Sequence, residues 1–209
     1  MTAIYHITHI RNLPLILQDG FLWCDNEKTA RHLNPVGIAH EHIKRRRAAR
    51  DVTACRGGTL ADYVPFYFAP RSPMLYTIHK GNVENYREGQ EPVLHLVSST
   101  ERVAASGLPF TFTNGHAEML TSSFYEDLAD LNKVDWSVMR SHYWNDTAND
   151  GNRKWRRQAE FLVHNNFPVS LAEEIGVCSL KMADNVKQIL AEAGIKFRWW
   201  YVQTGIIDG

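Results

Sequence analysis

Glu160 is the residue whose type and position most clearly suggest chemistry. It stands at the start of an apolar run within the segment KWRRQAEFLVHNNFP (residues 154–168), a few residues after a tryptophan and several basic residues. One interpretation is an ordinary acid that faces solvent at the end of a strand. The other is the working acid of a site that handles a phosphate-rich ligand. The local pattern alone leaves both interpretations open.

His6 and Thr8 form a second candidate pair, within the segment HIT. Residues two apart on a strand point to the same face, and this face also carries Ile4 and Ile10. An unsatisfied polar group that is buried costs about 1–3 kcal/mol, so both side chains need partners. The pair fits a satisfied core histidine and a ligand contact equally well.

The histidine pairs of the chain do not have the spacing of a strong metal site such as HExxH. His6 with His9, or His40 with His42, would have to converge with further ligands from elsewhere in the chain. The sequence therefore predicts neither a structural nor a catalytic metal.

Two basic clusters could contact phosphate groups. The first is KRRRAAR (residues 44–50), which is either a solvated surface or a set of forked donors for phosphate oxygens. The second, residues 153–157, follows SHYW and mixes cations with aromatic residues, a pattern typical of single-stranded nucleic-acid binding. The contacts predicted for this second region are Tyr143, Trp144, Arg153, Lys154, Trp155 and Arg156.

Tyr67 and Tyr76 lie on two successive predicted elements, the strand VPFYFAP (residues 64–70) and the helix RSPMLYTIHKG (residues 71–81). Aromatic side chains that converge from adjacent elements can sandwich a flat heterocycle. Such side chains are more often core residues, so this pair is informative only in combination with other features.

The elements that must position these residues are strands and helices without a regular βαβ alternation. Alternation and composition predict strands over residues 3–10, 64–70, 92–99, 109–114, 159–163, 174–180 and 196–203. Helical spacing and capping residues predict helices over residues 12–22, 37–51, 71–81, 123–144 and 185–194. The polar segment 145–157 is predicted to be a mobile loop. The class is α+β, and residues 1–209 are expected to form a single domain.

Composition excludes several classes of protein. Lys and Arg balance Asp and Glu at 23 each, so any basic surface must be local. The cysteines Cys24, Cys55 and Cys178 are far apart, which favours a reducing compartment over a disulfide framework. No apolar run resembles a signal peptide or a membrane span. A cytoplasmic protein is expected.

Several segments that are far apart in the sequence indicate a protein family when they are considered together. The early strand YHIT, the strand PFYF before a helix with a second tyrosine, and the late strand that begins with Glu resemble the H-Y-E arrangement of ADP-ribosyltransferases. More specifically, the chain resembles the DarT family, toxins that ADP-ribosylate single-stranded DNA. The segments that carry this resemblance are IYHITHI, AHEHIKRRR, DYVPFYFAPRSPMLY, QEPVLHLVSS, GLPFTFT and QAEFLV.

This resemblance implies an ADP-ribosyltransferase fold, in which two small antiparallel β-sheets flanked by helices form a cleft for NAD. It implies that His6 and Thr8 hold the adenosine-side ribose or the nicotinamide amide. Tyr76, with help from Tyr67, would pack on the nicotinamide ring.

The resemblance also implies which residues do the chemistry. The essential arginine of the family maps to Arg46, with Arg47 close behind as a contact to NAD, and its role would be to neutralise the diphosphate or steer the acceptor base. His116 matches a family histidine near the site. Glu160 would stabilise the positive charge that builds on the ribose by accepting a hydrogen bond from its 2′-OH, and it could also take the proton of the attacking base.

The implied function is that of a toxin enzyme, an NAD-dependent DNA ADP-ribosyltransferase of the pentosyl-transferring glycosyltransferase class. It would move ADP-ribose from NAD to a base of single-stranded DNA, expected to be thymine, and release nicotinamide. A macrodomain antitoxin that reverses the modification is the expected partner, with no membrane and no metal involved. Two alternatives stay open: a non-catalytic single-strand-binding module on the same scaffold, and an ADP-ribosyltransferase that acts on RNA or protein.

Overall fold

The computed structural model describes residues 1–195 and 198–201. Within them the strands are β1 (Ala3–His9), β2 (Phe21–Trp23), β3 (Tyr63–Tyr67), β4 (Val93–Ser99), β5 (Phe110–His116), β6 (Phe124–Tyr125), β7 (Ala159–His164), β8 (Asn166–Pro168), β9 (Glu174–Val177) and β10 (Arg198–Tyr201). The α-helices are α1 (Leu13–Asp19), α2 (Asp25–Ala30), α3 (Glu41–Ala49), α4 (Pro73–His79), α5 (Thr100–Ala105), α6 (Trp136–Arg140), α7 (Arg153–Arg156) and α8 (Leu180–Glu192). Short 3₁₀ helices cover Ile10–Asn12, Leu60–Asp62, Leu128–Lys133 and Val169–Leu171.

The main sheet has the strand order β10-β9-β4-β1-β3-β7-β5-β6, and β2 pairs with β8 in a small second sheet. Within the main sheet β10 runs parallel to β9, and the other neighbouring strands are antiparallel. The two halves of this sheet meet at β1 and β3, where the register pair is Tyr5 opposite Tyr67. By contrast, β1 pairs with β4 along its whole length. The two halves of the main sheet are therefore joined only over a short length of β1 and β3.

The core lies against the main sheet and explains why the strands form where they do. Ile4, Leu94, Phe66 and Phe161 are all essentially inaccessible to solvent and belong to one apolar cluster. The helix α8 adds a matching apolar face to this cluster, through Met182, Ala183, Val186 and Leu190. Burial of each large apolar side chain stabilises the fold by roughly 1.5–3 kcal/mol.

Two helix boundaries follow the capping residues seen in the sequence. Gly20 ends α1 with a φ of 79°, a left-handed conformation that glycine adopts without steric cost. At the start of α4 the Oγ of Ser72 accepts a hydrogen bond from the backbone N–H of Leu75 at 3.1 Å, and Pro73 occupies the first helical position. Both predicted helices are confirmed, and the second one positions Tyr76.

The prediction of one helix over residues 123–144 is wrong. The segment contains the strand β6, a 3₁₀ helix and the short helix α6. Asp127 and Asp135 interrupt the helical pattern, because their side chains accept hydrogen bonds from the N–H groups of Ala129 and Val138 and so start new elements. Apolar spacing alone does not reveal such restarts.

Other differences between the predicted and the observed elements are smaller. The helix predicted over residues 37–51 begins only at Glu41, and the segment predicted as a mobile loop contains α7. The predicted last strand is present as Arg198–Tyr201, and residues 196, 197, 202 and 203 lie outside the described residues. No helix within the described part of the chain combines the length and apolarity needed to cross a bilayer.

Candidate active site

A cavity of about 810 Å³ receives side chains from both halves of the main sheet and from the helices beside it. Most of the predicted site residues line it: His6, Thr8, Arg46, Arg47, Tyr67, Tyr76, His116, Trp144, Lys154 and Glu160. Its lining does not include the other predicted contacts, Tyr143, Arg153, Trp155 and Arg156. Residues far apart in sequence thus converge on one space large enough for a small-molecule ligand.

Glu160 reaches this cavity because of the strand alternation in β7. Phe161 pairs with Phe66 of β3 and packs in the core, so the preceding residue faces the opposite side of the sheet. There Glu160 stands directly opposite Tyr67. Its backbone N–H donates to the Oγ1 of Thr113 on β5 at 3.0 Å, which ties the site to a third strand.

A buried ion pair joins Glu160 to helix α3. The Nη1 of Arg47 donates to the Oε2 of Glu160 at 2.8 Å, and the two side chains are 11% and 6% exposed. The Oε1 of Glu160 accepts a longer hydrogen bond, 3.4 Å, from the N–H of Ala117. Burial alone would lower the pKa of Arg47, but the adjacent Glu160 carboxylate raises it overall. The pair therefore holds opposite charges in a poorly solvated place.

Tyr67 lies beside this pair and keeps its proton. Burial, followed by the negative charge of Glu160, raises the pKa of the Tyr67 hydroxyl. A phenol that stays protonated can donate a hydrogen bond to a ligand in the cavity. Its position opposite Glu160 is set by the register of β3 and β7.

His6 and Thr8 form another part of the cavity wall. The Nδ1 of His6 lies 2.8 Å from the carbonyl oxygen of Pro65, so this nitrogen donates its N–H and Nε2 keeps a lone pair. Burial lowers the pKa of His6 to about 4, which leaves the ring neutral near pH 7. The Oγ1 of Thr8 accepts from the amide of Asn12 at 3.2 Å. This wall thus offers neutral hydrogen-bonding groups.

Asn12 is a positioning residue that no sequence motif indicates. Besides contacting Thr8, its amide exchanges two hydrogen bonds with the backbone of Val36, at 2.8 and 3.0 Å. It thereby ties the segment before α3 to the strand that carries His6 and Thr8. A polar residue at the start of a helix gives no sign in sequence of a partner 24 positions away.

The central ion pair is formed by Arg47, whereas the family resemblance implies Arg46 as the essential arginine. The Nε of Arg46 donates to the Oε2 of Glu118 at 2.8 Å, and its side chain is 58% exposed. Consecutive residues on a helix point about 100° apart, so only one of the two can face Glu160. Alignment of neighbouring residues cannot distinguish these two directions.

Tyr76 and Trp144 pack against each other. Their rings meet edge to face at 5.9 Å between centroids, and Trp144 is buried. The sequence predicts Trp144 as a nucleic-acid contact, and its burial leaves little of the ring exposed for base stacking. Tyr143, its neighbour, is 70% exposed.

Three of the predicted nucleic-acid contacts are engaged within the protein. Arg156 forms ion pairs with Asp135 and Asp150, and Arg153 donates to the carbonyl oxygen of Tyr143 at 2.7 Å. The indole of Trp155 covers Gly115, where any added Cβ would lie 2.2 Å from the ring. These three side chains therefore stabilise the segment around α7. Among the predicted nucleic-acid contacts, the exposed Lys154 is the cation that lines the cavity.

His116 ends β5 next to the cavity. Its Nδ1 accepts the N–H of Glu118 at 3.2 Å, and its carbonyl oxygen accepts the hydroxyl of Ser122 at 2.6 Å. A register shift in β5 precedes it. In the described part of the chain no group of three or more His, Cys, Asp or Glu residues could hold a metal ion.

Comparisons with known proteins give a consistent result. A family model described as ssDNA thymidine ADP-ribosyltransferase, DarT, matches residues 5–204. A DNA ADP-ribosyl transferase from Thermus sp. (strain 2.9) is 46% identical over 191 residues, which is 91% of this chain and 88% of that protein. The sequence similarity therefore extends over nearly the whole chain.

Solved structures of Thermus sp. 2.9 DarT have a similar fold. The complex with ADP-ribosylated ssDNA superposes with a TM-score of 0.89 at 42% identity, over 97% of this chain and 94% of that one. The complex with NAD⁺ gives 0.85 at 39% identity, over 97% and 96%. A more distant relative from Thermosipho africanus, 25% identical over 92% of this chain and 46% of its own length, is a DNA ADP-ribosyl transferase-DNA ADP-ribosyl glycohydrolase fusion protein.

Proposed function

The chain belongs to the DarT family of NAD-dependent ADP-ribosyltransferases that act on single-stranded DNA, and we propose that its buried Arg47–Glu160 pair is the centre of this reaction. The α+β ADP-ribosyltransferase fold is confirmed by the match to DarT structures. The enzyme interpretation of the sequence is likewise confirmed, and the alternative of a non-catalytic binding module is not favoured.

The cavity is suited to NAD. Arg47 keeps a second guanidinium nitrogen, Nη2, that is buried without a hydrogen-bond partner among the described residues. Such an unpaired donor costs free energy unless a ligand satisfies it, and an NAD phosphate or hydroxyl oxygen is a fitting acceptor. NAD supplies the ADP-ribosyl group when bound, with nicotinamide as the leaving group.

Glu160 stabilises the positive charge that develops on the ribose when the nicotinamide bond weakens. Its carboxylate is fixed by Arg47 and by the N–H of Ala117, so it does not have to reorganise during the reaction. Preorganised groups of this kind contribute about 10²–10³ in rate. Low exposure increases the effect, because few water molecules screen the charge.

The walls of the cavity orient the co-substrate. His6 offers a neutral Nε2 acceptor and Thr8 a hydroxyl, which suits hydrogen bonds to a ribose or to an amide. Tyr67 and Tyr76 offer aromatic surface for the nicotinamide ring. Support for this assignment is that all four side chains line the same cavity as Glu160.

The DNA reaches the site from the side of α7. We place Lys154 and Tyr143 in contact with the strand, because Lys154 lines the cavity and Tyr143 is exposed. Arg153, Arg156, Trp155 and Trp144 position this region through their internal contacts. Thymine is the expected acceptor base, as in the family description.

Further aspects of the proposal concern the setting of the enzyme. Residues 1–209 are taken as one ADP-ribosyltransferase domain. The DNA ADP-ribosyl glycohydrolase fused to the Thermosipho africanus relative supports a toxin whose modification is reversed by a macrodomain antitoxin. The three cysteines are free, which supports work in the reducing cytoplasm.

The proposal is tested by incubating the protein with NAD and single-stranded oligonucleotides, followed by mass measurement. An oligonucleotide with thymines should gain ADP-ribose, and one of the same length in which cytosine replaces every thymine should gain none. RNA of matched sequence serves as a second comparison. No gain on any DNA oligonucleotide would contradict the proposed function.

A further inference from the structure

Glu118 is, beside Glu160, Asp19 and Asp25, a further carboxylate in the cavity lining, and the proposed function gives it no role. It lies two residues after His116 and lines the same space as Glu160. Its side chain is only 6% exposed. Arg46 holds one of its oxygens, Oε2, at 2.8 Å. The sequence gives no sign of it, because it stands in the irregular segment GHAEML.

The turn that carries Glu118 is held from several sides. Arg50 donates to the carbonyl oxygens of Ala117 and Met119, both at 3.3 Å. The hydroxyl of Ser122 bridges the carbonyl oxygen of His116 and the indole N–H of Trp155, at 2.6 and 3.1 Å. The N–H of Ala117 also reaches Glu160. The position of Glu118 is therefore fixed relative to the central acid.

The other oxygen of Glu118 has no partner among the residues that the structure describes. Oε1 is buried and makes no hydrogen bond within the described part of the chain. A buried acceptor left unsatisfied costs about 1–3 kcal/mol, and more when it is charged. A purely structural ion pair with Arg46 would use Oε2 and leave this cost unexplained. A donor supplied by the substrate would remove it.

We propose that Glu118 is a catalytic residue, whose Oε1 accepts the ring N–H of the attacking thymine and takes its proton. The inference rests on the proposed function and adds the group that activates the acceptor base. The proton passes from the ring nitrogen to Oε1, and the electron pair left on nitrogen forms the bond to the ribose carbon. The pair of the broken bond leaves on nicotinamide.

The two acids then have separate tasks. Both oxygens of Glu160 already accept hydrogen bonds, from Arg47 and from Ala117, which suits a fixed charge beside the ribose. Glu118 has a free oxygen, which suits a proton acceptor. Thymine in DNA has one ring N–H, whereas cytosine presents a lone pair at that position. A carboxylate there favours thymine over cytosine.

The first experiment compares Glu118→Gln with the wild type and with Glu192→Gln, a matched change on the exposed end of α8. Transfer to a thymine oligonucleotide should fall about 10²–10⁴-fold in Glu118→Gln, the usual contribution of a general base. Dissociation constants for NAD and for the oligonucleotide, measured by calorimetry, should stay within threefold of wild type. Hydrolysis of NAD by water should also persist, because it does not need the thymine N–H.

The second experiment replaces thymine by 5-fluorouracil in the same oligonucleotide. Fluorine makes the ring N–H more acidic, so its removal depends less on a base. The rate of Glu118→Gln should recover at least tenfold relative to its rate on thymine, while the wild type should change little. A merely structural defect would slow both substrates equally.

The possible results separate the two levels of inference. Wild-type transfer with equal transfer by Glu118→Gln overturns the role of Glu118 and leaves the proposed function intact. An equal loss on thymine and 5-fluorouracil, with or without weakened NAD binding, also overturns it. No transfer by the wild type overturns the proposed function itself.

Discussion

The two basic clusters of the chain have similar composition but different partners. The α3 cluster, residues 44–50, directs Arg47 onto Glu160 and Arg46 onto Glu118, two of the acids that line the cavity. The loop cluster, residues 153–157, directs Arg156 onto two acids outside the cavity lining. It also directs Arg157 onto backbone carbonyl oxygens. The α3 cluster supplies charge to the site, whereas the loop cluster mainly builds the wall beside it.

Arg157 illustrates the second role. Its guanidinium is buried and donates to the carbonyl oxygens of Arg71, Val138 and Met139, at distances between 2.5 and 3.1 Å. It joins the segment before α4 to the end of α6. Burial, followed by repulsion from Arg71, lowers the pKa of Arg157 to about 10, so it keeps its charge near pH 7.

The largest effect is expected from Arg47→Ala. Removal of one partner from a buried ion pair leaves the other charge uncompensated, which costs about 3–5 kcal/mol. The matched change Arg46→Ala should cost less, about 1–3 kcal/mol, because it removes a largely exposed cation but leaves the buried Glu118 carboxylate unpaired. Urea denaturation of the two variants measures the difference. Equal losses would mean that the α3 cluster does not distinguish its two arginines in this way.

Glu160→Gln should have the next largest effect, this time on catalysis. The change keeps the size of the side chain but removes its charge, so transfer to DNA should fall about 10²–10³-fold. NAD hydrolysis should fall with it, because both reactions develop positive charge on the ribose. Glu41→Gln is the control, since Glu41 is an exposed acid on α3 that pairs with Lys44. Near wild-type transfer by Glu160→Gln would disprove its role.

A smaller effect, on stability, is expected in the loop cluster. Arg157→Lys keeps the charge but loses the fork that serves several carbonyl oxygens at once, at a cost of about 1–3 kcal/mol. Arg45→Lys, an exposed change in the α3 cluster, should be neutral. Thermal unfolding reports both. If Arg157→Lys unfolds like the wild type, Arg157 is not a structural clamp.

The comparison also shows what the sequence could and could not predict. Strands with clear alternation and helices with caps were found, as β1, β3 and α4 show. The choice between Arg46 and Arg47 depends on a rotation of about 100°, which neither charge nor spacing reveals. The position of Glu118 in the cavity depends on a turn that follows a register shift in β5. The contacts of Arg46, Arg47 and Glu118 follow from tertiary packing, which no local sequence pattern encodes.

Lys154 is expected to show the smallest effect and the clearest salt dependence. It is exposed, lines the cavity and has no ion pair among the described residues, so it is available for a phosphate. Lys154→Ala should weaken binding to single-stranded DNA and reduce the slope of log K against log salt concentration by about 0.7. Lys181→Ala, on α8, is the control and should leave the slope unchanged.

Arg156 is already neutralised by two acids, so Arg156→Ala should change the slope less than Lys154→Ala. The reverse order would mean that the ion pairs of the loop cluster open on binding DNA, and that this cluster supplies charge to the substrate as the α3 cluster does to the site.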